Sequence, residues 1–513
     1  MTRAGTLIDD PRRRLTEAQV QQIHDASIAI LQEPGLLCFN KQAAAIFRES
    51  GAEVKEVGGA ARPSWTLKLP EKLVSDAVAR APSEITLGAR NPDNALVMKG
   101  DEPRVYYITG SETNTWLDVA FEEYASTKDS SKKVRLPQFR PHRGTVADLC
   151  ASAHVCEHLD TVDGYIRTVN IQDKEINNDN KDVNKFFASL NNTTKHVMSG
   201  LTNLNQLDNV VRMAELVAGG PDKLKANPLI SFITCLVKSP LQFVDDTTET
   251  YIELCRRALP VVVSSSPQAG TSAPIKEAGI MAQINAEVLA GITLGQLVNP
   301  GAPVLYGSVP VRARMDTLGD SYGAIETTQY NIDCVQMARY YNIPNYSTSG
   351  VCDPKIPGQQ STVERLFSNI LTTLAGPQFL HCAFGLLDGN SVFCLLQAVL
   401  DDAHFAMIRH FLRAPKVDNT ELETVMKQIA ATVATPQKMF INYIRPVLRS
   451  GELSPPYLFE SEGDNVFALA NERLQALLAR PVDHIDAATT TKIYEEIPGL
   501  LPGLNVYQGG EIA

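Results

Sequence analysis

From residue 104 to about 412 the chain repeats one phrase. A short apolar run rich in β-branched and aromatic residues is followed by a small or polar residue, a loop, and a stretch whose apolar positions recur at helical spacing. The runs are RVYYITG (104–110), VDGYIRTV (162–169), KHVMSGL (195–201), LISFITCL (229–236), PVVVSSS (260–266), PVLYGSV (303–309), PNYSTSG (344–350) and FLHCAFGL (379–386). Between them lie helical stretches such as GTVADLCASAHVCEHL, NQLDNVVRMAELVAG and EAGIMAQINAEVLAGITLGQL. Strands alternating with helices require one-handed crossovers and give a parallel sheet, and eight such units predict a (β/α)8 TIM barrel. An open doubly wound sheet is the alternative, but no run leads into GxGxxG or GxxxxGK[ST].

The flanks differ. Residues 1–14 are polar and read as a loose arm, Thr16 is placed to cap a helix ending near Pro34-Gly35, and 53–103 holds short strands such as TLKLP and ALVMKG. An N-terminal α/β accessory region is therefore expected over 1–103, the barrel over 104–412, and a helical C-terminal extension over 413–513, with turns at SGELSPP and in the Gly/Pro-rich tail. The polar, Asn-rich segment 170–185 is expected to be a long loop on the face where the strands end.

Composition narrows the function. At 513 residues, 44% hydrophobic and 20% charged, the chain can build a large core with additions round it. A net charge of −11 is the wrong sign for tracking phosphates, so no nucleic acid is expected. Nine cysteines, an odd number without CxxC spacing, suit reduced thiols in a cytoplasmic protein. Neither an export signal nor a membrane span is expected.

In a barrel the strand ends converge on one mouth, which selects Tyr107, Arg167, Asn170, Ser199, Thr234, Ser264 to Ser266, Tyr306, Ser308, Ser349, Asp353 and Phe384. Asp353, just past the seventh run, suits either a substrate contact or a helix-cap or turn role. His154, Cys156 and His158 suggest a metal, but on a helix the cysteine points nearly opposite the histidines, so no metal is expected. His404 reads likewise as a helix-face residue. Alternation along the eighth run sends one of His381 and Cys382 inward. Residues 270–274 suit an anion at a helix N-terminus or a tight turn equally well. An aldolase would want a Schiff-base lysine inside a strand, and only Lys195, at a run's edge, is available.

The phrases LGARNPDN (87–94), NPLISFIT through SPL (227–241), QAGTSAPIKEAGIMAQINAEVLAGITLGQLVNPGAPVLYGS (268–308), RMDTLGDSYGAIE (314–326), QMARYYNIP (336–344) and GVCDPKIPGQQSTVE (350–364) resemble the trimethylamine methyltransferase family. The likeness runs from residue 16 to about 400 and is specifically to members without pyrrolysine, which act on quaternary amines such as glycine betaine. The chain uses only the twenty standard residues, and VATPQKMFINYIRPVL (433–448) stands where many relatives carry a His-rich segment. The resemblance implies a barrel that moves a methyl group from an amine to the cobalt of cobalamin on a separate corrinoid protein, in methanogenesis-type one-carbon metabolism, with no cofactor bound by this chain. A homo-oligomer is also expected. The turn at Gly270–Pro274 matches the family's glycine turn in part, and Cys352-Asp353-Pro354-Lys355 matches its Asp/Lys loop, which makes Asp353 the catalytic candidate. A quaternary cation cannot donate hydrogen bonds, so Tyr107, Tyr306, Tyr346 and Phe384 are candidate aromatic faces, and Arg167 and Arg312 candidate partners for a betaine carboxylate. A sensor that binds quaternary amines without transfer, or a barrel lyase or aldolase, are the competing readings.

Overall fold

The computed structural model describes residues 4–59, 63–125, 133–415, 417–436, 439–450, 458, 465–504, 506–507 and 509. The predicted turn over 451–456 lies outside them, as does the end of the tail.

All eight apolar runs become parallel strands. They are β1 (Arg104–Tyr107), β2 (Tyr165–Ile166), β3 (Val197–Ser199), β4 (Ile230–Thr234), β5 (Val261–Ser265), β6 (Val304–Ser308), β7 (Asn345–Thr348) and β8 (Phe379–His381). Each is followed by a helix: α1 (Val146–His158), α2 (Lys181–Asn192), α3 (Leu207–Ala218), α4 (Asp245–Arg256), α5 (Glu277–Val298), α6 (Ile325–Tyr340), α7 (Gln359–Ala375) and α8 (Leu395–Phe411). The strands form a curled nine-strand sheet in the order Thr6–Leu7, β1, β8, β7, β6, β5, β4, β3, β2. Its two ends approach each other. Ile108 bridges Gly164 in parallel, and Asp163 N–H donates to the Tyr107 carbonyl at 2.7 Å. At this seam side chains replace missing ladder bonds. Thr109 Oγ1 accepts from Ile166 N–H and donates to Ile166 O, both at 2.8 Å, and Asp163 Oδ2 accepts from Tyr107 N–H at 2.9 Å.

Inside the curl, Tyr106, Ile108, Ile166, Met198, Val262, Leu305, Tyr346 and Phe379 form one apolar cluster. The antiparallel hairpin of strands Glu84–Leu87 and Leu96–Lys99 adds Ile85, Leu87, Leu96 and Met98 to it, and Tyr106 Oη donates to Val97 O at 3.0 Å. That end of the interior is therefore filled, which leaves the strands' C-terminal ends as the place for a site. α5 is apolar on every side because it is covered on every side: helices Glu17–Gln32 and Glu71–Arg80 pack on its outer face. It is long and apolar enough to cross a membrane, but 89% of its apolar window is buried inside the protein.

Thr16 caps helix Glu17–Gln32 with a reciprocal capping box, as its sequence predicts. Gly35 then turns the chain at φ +78°, where a Cβ would lie 2.2 Å from Leu67 O. Two expectations need correction, and one element was not foreseen. The stretch before residue 15 is tied down from residue 4 on: Thr6 and Leu7 pair with β1, and Arg14 reaches Asp333 at 2.8 Å. The segment 170–185 is a loop only to residue 180, where α2 begins. Between β1 and α1 stands a long hairpin, Thr115–Ala125 with Lys133–Arg143, which escapes a sequence reading because its far half is exposed and shows no apolar alternation. After α8, helices Asn419–Val433, Ile441–Ser450, Val466–Leu478 and Ala487–Glu496 follow.

The ends of β7 and β8 are locked by a fully buried ion pair between α7 and α8. Arg365 donates to both oxygens of Asp401 and to the carbonyls of Gly350 and Leu386, and Asp401 also accepts from Gly385 N–H at 2.8 Å. Burial alone would raise the Asp401 carboxyl; Arg365 outweighs it and holds the group below its ordinary value. Arg365→Met should cost about 3–5 kcal/mol in urea unfolding, because it leaves a buried carboxylate uncompensated. Adding Asp401→Leu should recover much of that loss.

Candidate active site

Strand alternation decides what faces the mouth. On β7, Tyr346 and Thr348 point inward; Ser347 points outward, its Oγ bonding Asn331 of α6 at 3.2 Å. On β8, Phe379 and His381 point inward. Tyr346 stacks on His381 with ring centroids 3.9 Å apart and on Phe379 at 5.4 Å. Cys382, at φ +62°, ends the alternation. Burial pushes the His381 imidazole down to about 3, so the ring stacked on Tyr346 is neutral.

Charge enters from one side. Arg167, just past β2, binds Glu112 Oε2 through Nε at 3.0 Å and Nη2 at 2.8 Å, and Lys185 of α2 stands 3.8 Å from Oε1. Lys185 is itself held by Asp182 at 2.9 Å. Burial would raise the Glu112 carboxyl, but Arg167 and then Lys185 outweigh it and hold it at about 2, so Glu112 is ionised. Past β4 lies Cys235, the one exposed thiol of the nine free cysteines. Tyr346 lies within electrostatic reach of Cys382, Cys235, Arg167 and Tyr322.

Tyr322 is carried by the loop between β6 and α6, and Asp353 holds that loop. Asp353 Oδ2 accepts from Ser321 Oγ at 2.8 Å and Oδ1 from Gly323 N–H at 3.1 Å, one on each side of Tyr322. Its own N–H donates to Glu364 Oε2 at 2.9 Å. A Cβ at residue 323 would meet the Glu364 carboxylate at 2.2 Å, so a larger residue there would displace that side chain from Asp353 N–H. Both oxygens of Asp353 are thus engaged by the protein, and its geometry is that of a positioning residue.

Of the other sequence candidates, Arg167 and Tyr346 come together at the mouth and the rest do not. Tyr107 turns outward against Phe405 of α8, with Arg409 5.0 Å above its ring. Phe384 packs on the same Phe405. Tyr306 points outward to Asn285 of α5 at 2.9 Å, and Arg312 pairs with Glu326 at 3.0 Å. The hydroxyls of Ser265, Ser349 and Thr234 bond to groups behind the sheet: Glu287, Asn369 and Thr247 O. In the turn after β5 the N–H groups of Thr271, Ser272 and Ala273 all donate to Gln268 O, which decides for a tight turn over an anion cradle. Among the described residues no three His, Cys, Asp or Glu side chains group as a metal site. Glu112, Lys185 and Tyr322 escape a strand-end reading because they sit on loops and on α2, and Cys235, one residue past β4, is passed over for Thr234.

The family model described as trimethylamine methyltransferase (MTTB) matches residues 7–440. The chain belongs to the trimethylamine methyltransferase family. It is 32% identical to trimethylamine methyltransferase MttB of Desulfitobacterium hafniense, over 81% of this chain and 78% of that protein. It is 28% identical to a glycine betaine methyltransferase of the same species, over 79% and 78%, and 27% identical to MttB of Methanosarcina barkeri, over 80% and 79%. Its enzyme class, like that of these relatives, is methyltransferase.

Asp353→Ala should free the loop without unfolding the protein: amide exchange over 320–324 should speed at least ~10-fold, equivalent to about 1.4 kcal/mol. Asp353→Asn, which keeps an acceptor for Gly323, should stay near wild type. His381, held neutral, contributes stability above its unfolded pKa of about 6.5 that is lost as pH falls toward 3. His381→Gln should therefore flatten the acid limb of stability against pH by up to about 1.4 kcal/mol per unit.

Proposed function

We propose that this methyltransferase takes a methyl group from a quaternary amine, glycine betaine or a related betaine, and delivers it to the Co(I) of a corrinoid carried by a separate protein. The reading treats residues 104–412 as a closed (β/α)8 barrel, supported by the Ile108–Gly164 bridge, with 1–103 as an accessory region and 413–513 as a helical extension. The corrinoid is here a methyl acceptor that visits the mouth. The chain itself is proposed to bind no cofactor.

One observation carries the reading: on the inner face Tyr346 is backed by a neutral imidazole, and Arg167, which interacts electrostatically with it, is paired to an ionised Glu112. A quaternary ammonium needs no hydrogen-bond acceptor, and an aromatic face serves it for about 0.5–2 kcal/mol. A protonated His381 would repel it. A betaine is a zwitterion, and the Glu112–Arg167 pair offers it a complementary dipole, the guanidinium facing the carboxylate end. In the transfer the acceptor's electron pair forms a bond to the methyl carbon while the C–N pair returns to nitrogen, leaving a neutral tertiary amine. No proton has to move. Because the positive charge on nitrogen disappears, a tightly held counter-ion would favour the ground state. Glu112, already neutralised by Arg167 and Lys185, avoids that. Tyr322 is assigned the second aromatic wall, positioned by Asp353.

Calorimetric titration with glycine betaine and with its isostere 3,3-dimethylbutanoate, in which a neutral tert-butyl group replaces the trimethylammonium, tests the assignment. The wild-type protein should prefer the cation, and Tyr346→Leu or Tyr322→Leu should each remove about 0.5–2 kcal/mol of that preference. Equal binding of the two compounds would contradict it.

A further inference from the structure

We infer that the cavity between the N-terminal stretch and α6 is a binding site for a small phosphate monoester with a flat apolar body. The cavity measures about 680 Å³ and lies at the end of α6 opposite the loop that carries Tyr322. That volume falls in the range of small-molecule pockets, roughly 300–1,000 Å³. The proposed methyl transfer makes no use of it.

Two arginines line the cavity, and neither has a carboxylate partner among the described residues. Arg13 stands between Arg12, whose N–H donates to Leu374 O at 2.7 Å, and Arg14, which is paired to Asp333. The chain is thus fixed on both sides of Arg13, while its own side chain makes no ion pair. Arg339 donates through Nη2 to the carbonyls of Ala375 and Gly376, at 2.9 and 3.2 Å, and so caps α7. Its Nη1 makes no hydrogen bond among the described residues, and its Nε is buried with no acceptor. Capping α7 therefore accounts for one nitrogen of the three. Burial, and then the positive charge of Arg13, lower the Arg339 guanidinium below its ordinary value, with no carboxylate to offset them. Two like charges at the wall of one cavity, one of them half-buried, are costly until an anion joins them.

The rest of the lining selects the anion. Helix Glu17–Gln32 begins at the cavity wall, where its first turn adds about half a positive charge, and Glu17 removes one. With the two guanidiniums this leaves roughly one and a half positive charges, which matches the ~1.5 to 2 negative charges of a phosphate monoester better than the single charge of a carboxylate. The apolar walls are Leu15, Val20 and the ring of Tyr340, which is 45% exposed. The Tyr340 hydroxyl donates to Gln21 Oε1 at 2.8 Å and the ring meets Tyr341 edge-on, so it is held in place to cover a flat apolar group. Gln336 also lines the cavity, but its amide is already engaged by Leu15 and by Arg14 N–H.

Calorimetric titration of the full chain at fixed ionic strength with phenyl phosphate, benzoate, phenol and inorganic phosphate tests this. Phenyl phosphate should bind saturably at one per chain, inorganic phosphate and benzoate more weakly, and phenol not at all. Arg13→Gln and Arg339→Gln should each weaken phenyl phosphate at least ~10-fold, the loss expected for a charge-assisted hydrogen bond. Tyr340→Ala should weaken phenyl phosphate and leave inorganic phosphate unchanged. The Arg13 side chain is exposed and makes no hydrogen bond among the described residues, so its variant decides the matter even if Arg339→Gln unfolds by uncapping α7. The inference is overturned if phenyl phosphate shows no saturable binding up to ~10 mM, a range that would still register a very weak site. Phenyl phosphate binding that is undiminished in Arg13→Gln overturns it too, as does benzoate or phenol binding as tightly as phenyl phosphate.

Discussion

Alternation along short parallel strands governs this molecule. A residue on a curled sheet faces either the filled interior or the surrounding helices, and its neighbour takes the other side. On β7 and β8 that rule puts Tyr346, Phe379 and His381 into one stack inside, and by the same step sends Ser347 and Leu380 out. On β1 it spends Tyr106 on the interior and Tyr107 on α8. Aromatic residues are common in these strands, but few of them are available to a ligand.

What alternation cannot supply, the rim loops do, and they are bound to one another. Asp353 and Glu364 tie the loop after β7 to the one carrying Tyr322, Asp388 and Gly389 donate to the carbonyls of Pro354 and Cys352, and Arg365 gathers carbonyls from the ends of β7 and β8. Three consecutive loops thereby behave as one support. The opposite rim is electrostatic, with Glu112 held between Arg167 and Lys185. A reaction that needs placement and desolvation more than proton transfer is well served by a mouth built this way.

The strands and helices of the central region were legible because each apolar run is short, β-branched and followed by a helical period. The site was legible only in part. Arg167 sits where strand-end reasoning looks, and Tyr346 enters only as a candidate aromatic face; Tyr306 differs from Tyr346 in parity, which a run of uniformly apolar residues does not reveal, and Phe384 lies past Cys382, where alternation ends. Asp353 was found by position, but its partners Ser321 and Gly323 lie thirty residues upstream, so its structural task emerged only in three dimensions. The hairpin after β1 and the tethered N-terminal stretch were hidden for the opposite reason: their polar composition reads as loop, and their pairing is made to distant segments.

The central claim is methyl transfer from a quaternary amine, and its most direct measurement is a single turnover without oxygen. The chain, a reduced corrinoid protein and glycine betaine are mixed while methylcobalamin absorbance is followed and the amine product is weighed by mass spectrometry. The account predicts that methylcobalamin and dimethylglycine appear in equal amounts and that trimethylamine is a poor donor. If the corrinoid stays unmethylated with glycine betaine, carnitine, proline betaine and γ-butyrobetaine alike, or if trimethylamine alone supplies the methyl group, the account is contradicted.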